Sequence, residues 1–311
     1  MSSVGDTMES SPSLRDLPIK RCQQFKMLKG FLVLLVIAMV FFIFWFTNLQ
    51  IFPVTKLANE TSRRPWAVTR VITTAVYPTV YETQQKTAII VPMRGRELHL
   101  KLFTRYMLVF LEKQKIDYRI YVIEQSEDGK EFNKGTLLNV GFVEALKVAN
   151  YSCFIFHDID LIPESDDNPP YKCGRQPIHL SAAVDTLNYT DSPPFLSRLP
   201  YDGLIGGAFA IRAKQLKSVN GYSNSYWGWG GEDDDLARRL YFNGFRFWRY
   251  PRKISRYSML PHIPGVSKRS RFKILEKWQS RYRSDGINSL NYTIEKYERR
   301  DDYTRILVNI N

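Results

Sequence analysis

The chain has 311 residues, of which 44% are hydrophobic and 14% aromatic, enough to bury a substantial core in one large domain or two small ones. Its formal net charge of +13 would suit a nucleic-acid-binding protein. No basic helix or RNA-binding motif accompanies this charge, and the membrane anchor predicted below argues against that class. We therefore expect no nucleic-acid partner.

The first predicted element is a membrane anchor. Gly30–Phe46 contains 17 residues without a charge, and Leu49, Ile51 and Phe52 extend the apolar run. A cleaved signal peptide is the alternative, but its apolar region is shorter and is followed by small residues at a cleavage site. This run ends in Phe-Trp-Phe, which is typical of an anchor at the membrane interface. We predict a transmembrane helix over residues 30–52.

The charges that flank this helix predict its orientation. Five basic residues precede the apolar run and fewer follow it closely, so the positive-inside rule places residues 1–29 in the cytosol. Residues 53–83 would then form a stem, and residues 84–311 a lumenal catalytic domain. A short span suits the thinner membranes of the early secretory pathway. We expect a single-pass type II protein of the Golgi membrane.

The predicted lumenal location makes a disulfide and N-glycosylation possible. Cys153 and Cys173 could form a disulfide in an oxidising compartment, or they could remain two buried free thiols. Four N-x-S/T sequons occur in the chain, and we predict glycosylation only at Asn59, in the predicted stem.

From about Lys86 onward, strand and helix patterns alternate. Helical apolar spacing covers residues 97–115 and 136–147, and a later helix begins in the acidic run at Glu232. Buried-strand patterns occupy residues 87–94, 118–125, 151–162 and 245–250. The alternation predicts an α/β fold with a parallel, Rossmann-like sheet. Ligands of such sheets collect at the C-terminal ends of the strands.

Charged residues follow two of these strands. Asp158 and Asp160 end the strand of residues 151–162, and two carboxylates at i and i+2 can share one divalent cation and the phosphates it neutralises. Isolated D-x-D patterns also occur in turns and caps, so the position at a strand end carries the interpretation. Arg94 and Arg96 follow the first strand, where two guanidinium groups would suit a diphosphate.

The motifs together resemble the β-1,4-galactosyltransferase family of animal Golgi enzymes. The resemblance covers about residues 84–311 and lies in YVIEQ, FNKGTLLNVGF, CFIFHDIDLIPE, NGYSNSYWGWGGEDDDLARRL, MLPH and SDGINSLNY. It implies a GT-A fold and an inverting, Mn²⁺-assisted transfer from a UDP-sugar to terminal β-GlcNAc or glucose. It also implies a disulfide between Cys153 and Cys173.

The resemblance assigns the metal ligands. Asp160 would be the metal carboxylate, with Asp158 beside it in contact with the donor. Met259 and His262, in MLPH, match an unusual Met-x-x-His pair. From the residues alone, Met259 would be interpreted as core packing, because a thioether is a soft ligand and Mn²⁺ is a hard ion.

The resemblance also assigns residues to the two substrates. Lys134 stands where the family commonly has arginine, so the bidentate geometry of that donor contact is lost. The donor-binding residues would be Pro92, Arg94, Arg96, Phe132, Asn133, Lys134, Asp158, Leu204, Gly206 and Trp229. The acceptor-binding residues would be Glu232, Asp233, Asp234, Arg271, Phe272 and Leu275.

The stretch YWGWGGEDDD, residues 226–235, carries the predicted catalytic groups. Asp233 matches the family's general base, and Glu232 supports it as an acceptor-orienting carboxylate. Several carboxylates are tolerated together at a helix start, and Asp235 could be no more than part of that acidic turn. Trp229 lies between glycines and matches a tryptophan that closes over the donor, while residues 260–280 match a lid that orders after metal and donor bind.

One position bears on the identity of the donor sugar. Strict galactosyltransferases of this family carry a tyrosine where this chain has Leu204, two residues before Gly206. An aliphatic side chain leaves room for an N-acetyl group, so we expect UDP-GalNAc to be accepted at least as well as UDP-Gal. A strict UDP-Gal transferase is the alternative, and a non-catalytic GlcNAc-binding Golgi lectin is the alternative of another class.

Overall fold

The computed structural model describes residues 85–190, 203–263, 265 and 268–311, all within the compact unit Thr73–Asn311. Within this described part of the chain, no helix is long and apolar enough to cross a membrane. The predicted cytosolic tail, the anchor over residues 30–52, the stem and Asn59 lie outside the described residues.

Eight strands form the main sheet, in the order β10-β11-β2-β1-β3-β7-β5-β8. A second, three-stranded sheet has the order β4-β9-β6. The strand bounds are β1 Lys86–Met93, β2 Asp117–Gln125, β3 Cys153–His157, β4 Leu161–Pro163, β5 Ile178–His179, β6 Ala183–Val184, β7 Ala208–Arg212, β8 Trp248–Arg249, β9 Arg256–Met259, β10 Tyr292–Arg299 and β11 Tyr303–Ile310.

Helices cover the faces of the sheet. The α-helices are α1 Glu97–Gln114, α2 Lys134–Val148, α3 Ala213–Ser218, α4 Glu232–Phe242, α5 Ser270–Glu276 and α6 Trp278–Arg281, and short 3₁₀ turns span Asp185–Thr190, Arg252–Ile254 and Ile287–Ser289. Helix α1 buries Phe103, Met107 and Leu111 at the spacing of one helical face.

Helix α2 lies very close to the sheet, and Gly141 makes this possible. A Cβ atom at Gly141 would lie 2.3 Å from Cγ2 of Ile90 and 2.9 Å from Cγ1 of Ile123. Because no side chain fits in that space, the helix backbone rests directly on β1 and β2. The start of α2, which carries Lys134, is thereby fixed over the C-terminal ends of these strands.

The sheet is mixed, which corrects the prediction of a parallel sheet. Strands β1, β2, β3 and β11 run parallel, and these include the three strands whose alternation with helices carried the prediction. Strand β7 pairs antiparallel with β3, and β10 with β11. The C-terminal hairpin was not predicted, and only β8 remains of the strand predicted over residues 245–250.

The strand predicted over residues 151–162 is two strands in different sheets. Strand β3 ends at His157, and Leu161 N–H donates to Asp158 O in a turn before β4 begins. The apolar residues on both sides of the turn are buried, so the hydrophobic pattern alone could not show the break. The turn contains Asp158 and Asp160.

A disulfide joins Cys153 to Cys173, with a Cα–Cα distance of 5.4 Å. The alternative of two free thiols is therefore wrong. The Gln85 side chain hydrogen-bonds both backbone groups of Cys173, donating to its carbonyl at 2.8 Å and accepting from its N–H at 2.9 Å. The bridge ties the start of β3 to the segment that follows the acidic turn.

Replacing both cysteines by serine is expected to lower the free energy of unfolding by about 3 kcal/mol, because the bridge closes a loop of 20 residues in the unfolded chain. Urea denaturation of the unit Thr73–Asn311, followed by tryptophan fluorescence, would measure this. The parent protein unfolded in dithiothreitol is the control and should match the double variant. Equal stability of all three samples would contradict the prediction.

Candidate functional site

The C-terminal ends of β1, β2 and β3 meet at one edge of the sheet, as predicted. Met93 lies beside Glu124, and Ile90 beside Phe156, so the chain leaves all three strands at nearly the same height. Arg94 and the turn containing Asp158 follow at that edge. Gln125 holds the next loop in place, because its side chain donates to Glu131 O and accepts from Asn133 N–H.

Asp160 is the centre of a small charged group. Its Oδ2 lies 3.1 Å from Nδ1 of His262 and 3.5 Å from Nη1 of Arg96. Nδ1 of His262 also lies 3.2 Å from Leu260 O. Because the carboxylate and the carbonyl can only accept, Nδ1 carries the ring proton and the lone pair that could bind a metal lies on Nε2. A carboxylate is a ligand type that suits Mn²⁺, and imidazole is a common metal ligand in proteins. The structure brings two of the predicted metal ligands, Asp160 and His262, into contact.

Met259, the third predicted ligand, is brought to the same place by the second sheet. It pairs with Leu161 across β4 and β9, one residue beyond Asp160. Leu260 N–H donates to Asp160 O at 2.7 Å, which ties the two chain segments together. The Met259 sulfur accepts a hydrogen bond from Thr186 Oγ1 at 3.6 Å.

Lys134 is surrounded by three carboxylates. Its Nζ lies 2.9 Å from Asp158 Oδ1, 3.1 Å from Asp233 Oδ2 and 3.5 Å from Glu232 Oε1. Burial lowers the pKa of Lys134, but the three carboxylates outweigh it and hold that pKa well above its usual value. The ammonium therefore stays charged and links the predicted donor side of the site to the predicted catalytic base. A compact ammonium suits this three-way contact.

The acids at the start of α4 are buried, and this changes their protonation. Burial, the largest cause, and the neighbouring Asp233 raise the pKa of Glu232 to about 7. Burial also raises the pKa of Asp233, while Lys134 lowers it. The start of a helix stabilises negative charge at these positions. Glu232 therefore titrates near neutral pH, and it lies beside Asp233, whose carboxylate is bound to Lys134.

Asp235 belongs to a buried ion cluster, which sequence reasoning missed. Its carboxylate lies 2.5 Å from Arg239 Nε and 3.1 Å from Arg281 Nη2, and it accepts from Tyr226 OH at 2.9 Å. Asp235 and Arg239 are both fully buried. The i,i+4 spacing of this pair on one helix was the signal that could have found it. The cluster anchors the start of α4 to α6 and to the loop after it.

Trp229 and the segment around α5 face each other at the mouth of the site. Trp229 is 57% exposed, and the Arg271 guanidinium lies 4.8 Å from its ring centroid. Arg271 also donates to Trp229 O at 3.2 Å. Phe272 is exposed, whereas Leu275 is buried, and Arg238 donates to its carbonyl. The structure therefore brings one predicted acceptor residue, Arg271, against the predicted gate, Trp229.

Three other predicted donor residues, Arg94, Asn133 and Pro92, are held or buried within the protein. Arg94 lies over the Phe132 ring at 5.8 Å and donates to Lys130 O. Asn133 is fully buried, and its side chain caps α2 by accepting from Thr136 N–H and donating to Asn224 O. Its amide therefore organises the loop, and Pro92 is likewise buried within β1.

Leu204 and Gly206 lie on a segment that passes directly beside Asp233. A Cβ atom at Gly206 would lie 2.8 Å from Asp233 Oδ2, so only a glycine leaves the carboxylate in place. Two residues that sequence reasoning missed, His179 and Arg249, bind the backbone of this segment. No local pattern marks them, because they lie 70 residues apart.

The mixed sheet, with an acidic turn at the end of β3 and cationic side chains around it, places the protein among GT-A-like glycosyltransferases. The catalytic domain of Drosophila β1,4-galactosyltransferase 7, solved with xylobiose, superposes with a TM-score of 0.61 at 29% identity, covering 73% of this chain and 94% of that one. A mutant of that Drosophila protein, solved with manganese, UDP-Gal and xylobiose, gives a TM-score of 0.59 at 28% identity over the same shares.

Sequence comparisons narrow the class to one family. Family models described as the N-terminal region of glycosyl transferase group 7 and the N-terminal domain of galactosyltransferase match residues 51–174 and 188–263. Human β-1,4-galactosyltransferase 4 and bovine β-1,4-galactosyltransferase 1 are each 42% identical to this chain over 72% of its length. The alignments span 63% and 54% of those two proteins. The chain belongs to the β-1,4-galactosyltransferase family.

Proposed function

We propose that the protein transfers GalNAc or Gal from a UDP-sugar to the 4-hydroxyl of terminal β-GlcNAc or glucose, with inversion and with Mn²⁺. The observation that carries this proposal is the Lys134 group, which places Asp158 and Asp233 on one ammonium beside the Asp160–His262 pair. The Drosophila relative solved with manganese, UDP-Gal and xylobiose supports a UDP-sugar donor, a sugar acceptor and a metal ion.

Donor binding is assigned to the cationic edge of the site. Arg96 Nη1 is buried and, within the described residues, makes no hydrogen bond, although Asp160 lies 3.5 Å away. A diphosphate oxygen would satisfy that donor, and Arg94 lies on the same loop. Asp160, His262 and Met259 would hold Mn²⁺, which supplies positive charge to the UDP leaving group.

Asp233 is the general base of the proposed reaction. It takes the proton from the acceptor hydroxyl while the acceptor oxygen forms a bond to the sugar's anomeric carbon and the bond to UDP breaks on the opposite face. Burial raises the pKa of the Asp233 carboxyl above its usual value, while the contact with Lys134 stabilises the carboxylate and orients it. Glu232 and Asp234 lie in the same first helical turn and would bind acceptor hydroxyls.

The acceptor pocket is assigned to α5 and Trp229. Leu275 supplies a buried apolar wall, and the exposed Phe272 ring beside Arg271 leaves a surface on which a sugar's N-acetyl group can pack. Because Arg271 contacts both the ring and the carbonyl of Trp229, closure over the donor and formation of the acceptor pocket are linked.

The donor preference is assigned to Leu204. The Leu204→Tyr variant is expected to shift the ratio of kcat/KM for UDP-Gal over UDP-GalNAc toward UDP-Gal by about tenfold or more, because a larger polar side chain fills the space of the N-acetyl group. Purified lumenal domain, Mn²⁺ and a β-GlcNAc acceptor would be assayed with both donors. A strong UDP-Gal preference in the parent protein would contradict the GalNAc assignment, and an unchanged ratio in the variant would contradict Leu204 as its determinant.

We further propose that the protein is a type II Golgi membrane protein, anchored by residues 30–52 and N-glycosylated at Asn59, as the uncharged run and the basic residues before it suggest. Microsomes that contain the full chain are expected to protect residues 53–311 from added protease, and Asn59→Gln should remove one glycan. Digestion of the C-terminal part in intact microsomes would contradict this topology.

A further inference from the structure

A polar pair holds the backbone of the segment Leu204–Gly207, here called the donor segment. Arg249 of β8 donates from Nη2 to Leu204 O at 2.8 Å, and His179 of β5 contacts Gly206 O through Nε2 at 3.0 Å. The two side chains also bind each other, because Arg249 Nε donates to His179 Nδ1 at 3.1 Å. They are register partners on adjacent strands of the main sheet.

The hydrogen bonds fix the form of the imidazole. Since Nδ1 of His179 accepts from an arginine, which cannot accept a hydrogen bond, the ring's proton lies on Nε2 and is donated to Gly206 O. Burial, and then the nearby Arg249 charge, lower the pKa of His179 to about 3. The ring is therefore a neutral, fixed donor throughout the neutral pH range.

The two glycines of the donor segment lie close to other groups of the protein. A Cβ atom at Gly206 would lie 2.8 Å from the carboxylate of Asp233, and one at Gly207 would lie 2.5 Å from Ser181 Oγ. Ser181 Oγ also accepts from Ala208 N–H at 2.8 Å, just after the segment, and it lies beside the polar pair, 3.3 Å from both His179 Nε2 and Gly206 O. The segment is thus confined between the polar pair and the proposed base.

We infer that Arg249 and His179 are positioning residues for donor selection, which fix the distance between the Leu204 side chain and the sugar bound beside Asp233. The inference rests on the proposed function, because it gives Leu204 its task. A change of one methyl group in a pocket alters discrimination by about 10- to 200-fold, so a shift of well under 1 Å in this backbone would change the preference between the two sugars.

A purely structural role for the pair predicts a different result. If Arg249 and His179 only joined β5 to β8, their loss would lower stability and would reduce activity with both donors in the same proportion. If they position Leu204, their loss would weaken the effect of the side chain at residue 204 on the donor ratio. Non-additive effects of substitutions at residues 249 and 204 on the donor ratio therefore distinguish a positioning role from a purely structural one.

The experiment is a double-mutant cycle on the lumenal domain. The ratio of kcat/KM for UDP-GalNAc over UDP-Gal is measured for the parent, Leu204→Tyr, Arg249→Met and the double variant, together with the Tm of each. Arg246→Met is the matched control, because Arg246 is exposed, lies on the same chain segment and contacts Phe245 O and the Tyr241 ring rather than the donor segment. Arg249→Lys, which keeps the charge, serves if Arg249→Met fails to fold.

The expected result is that Leu204→Tyr changes the donor ratio at least about threefold less when Arg249 is replaced than in the parent or in Arg246→Met. An equal change in all three backgrounds overturns the inference and leaves the proposed function standing. Absence of transfer from both donors by the folded parent overturns the proposed function itself. An unchanged ratio in Leu204→Tyr alone removes the assignment of Leu204, and the inference falls with it.

Discussion

The Asp233→Asn variant is expected to lose about 10²- to 10⁴-fold in kcat, while the KM for the UDP-sugar changes little. Asparagine keeps the size of the side chain but cannot accept the proton of the acceptor hydroxyl. Lys134 keeps its contacts with Asp158 and Glu232 in the variant, so the donor side of the site stays ordered. Initial rates with varied donor and acceptor, together with calorimetric binding of UDP in Mn²⁺, would measure both effects.

The control for this prediction is Asp166→Asn, which removes a carboxylate from an exposed pair with Lys113 far along the chain from α4. Its kcat should equal that of the parent. Lost turnover with retained donor binding in Asp233→Asn supports an enzyme with Asp233 as base. A kcat within threefold of the parent would exclude that assignment, and a folded parent that binds glycans without turnover would favour the lectin alternative.

The sequence best predicts those strands and helices whose apolar residues recur with a clear local period. Strands β1 and β2 and helices α1 and α2 lie within a few residues of their predicted bounds, because each has a clear apolar period. The acidic turn after β3 was placed at the sheet edge for the same reason. The antiparallel pairing of β7 with β3 depends on a contact between distant segments, and no local pattern encodes strand direction.

The candidate site divides in a similar way. Asp158, Asp160 and the acids of α4 were found because they stand out from their neighbours in sequence, and the resemblance to a family gave each a role. The contacts between them were not foreseen. Lys134 was expected to be a weakened donor contact, yet its ammonium joins Asp158 to Asp233, residues that lie far apart in the chain. The sequence does not show such a contact, because it forms only when distant segments of the chain fold together.

The second large effect is expected at Arg239. Replacing this fully buried residue by methionine should lower the free energy of unfolding by about 3–5 kcal/mol, because Asp235 stays buried with one of its two arginine partners removed. Arg239 Nη1 also donates to Gly221 O at 3.1 Å and Asp285 O at 2.9 Å, and both carbonyls would lose that donor. Urea denaturation would measure the loss.

The matched control for Arg239→Met is Lys113→Met, which breaks an ion pair whose side chains are 55% and 61% exposed. Exposed pairs contribute about 1 kcal/mol or less, so this variant should keep nearly the parent stability. Adding Asp235→Leu to Arg239→Met should recover part of the loss, since the buried carboxylate that has lost its closest arginine is then removed as well. A loss in Arg239→Met no larger than in Lys113→Met would show that the cluster does not hold α4, and the acids at its start would then owe their position to Lys134.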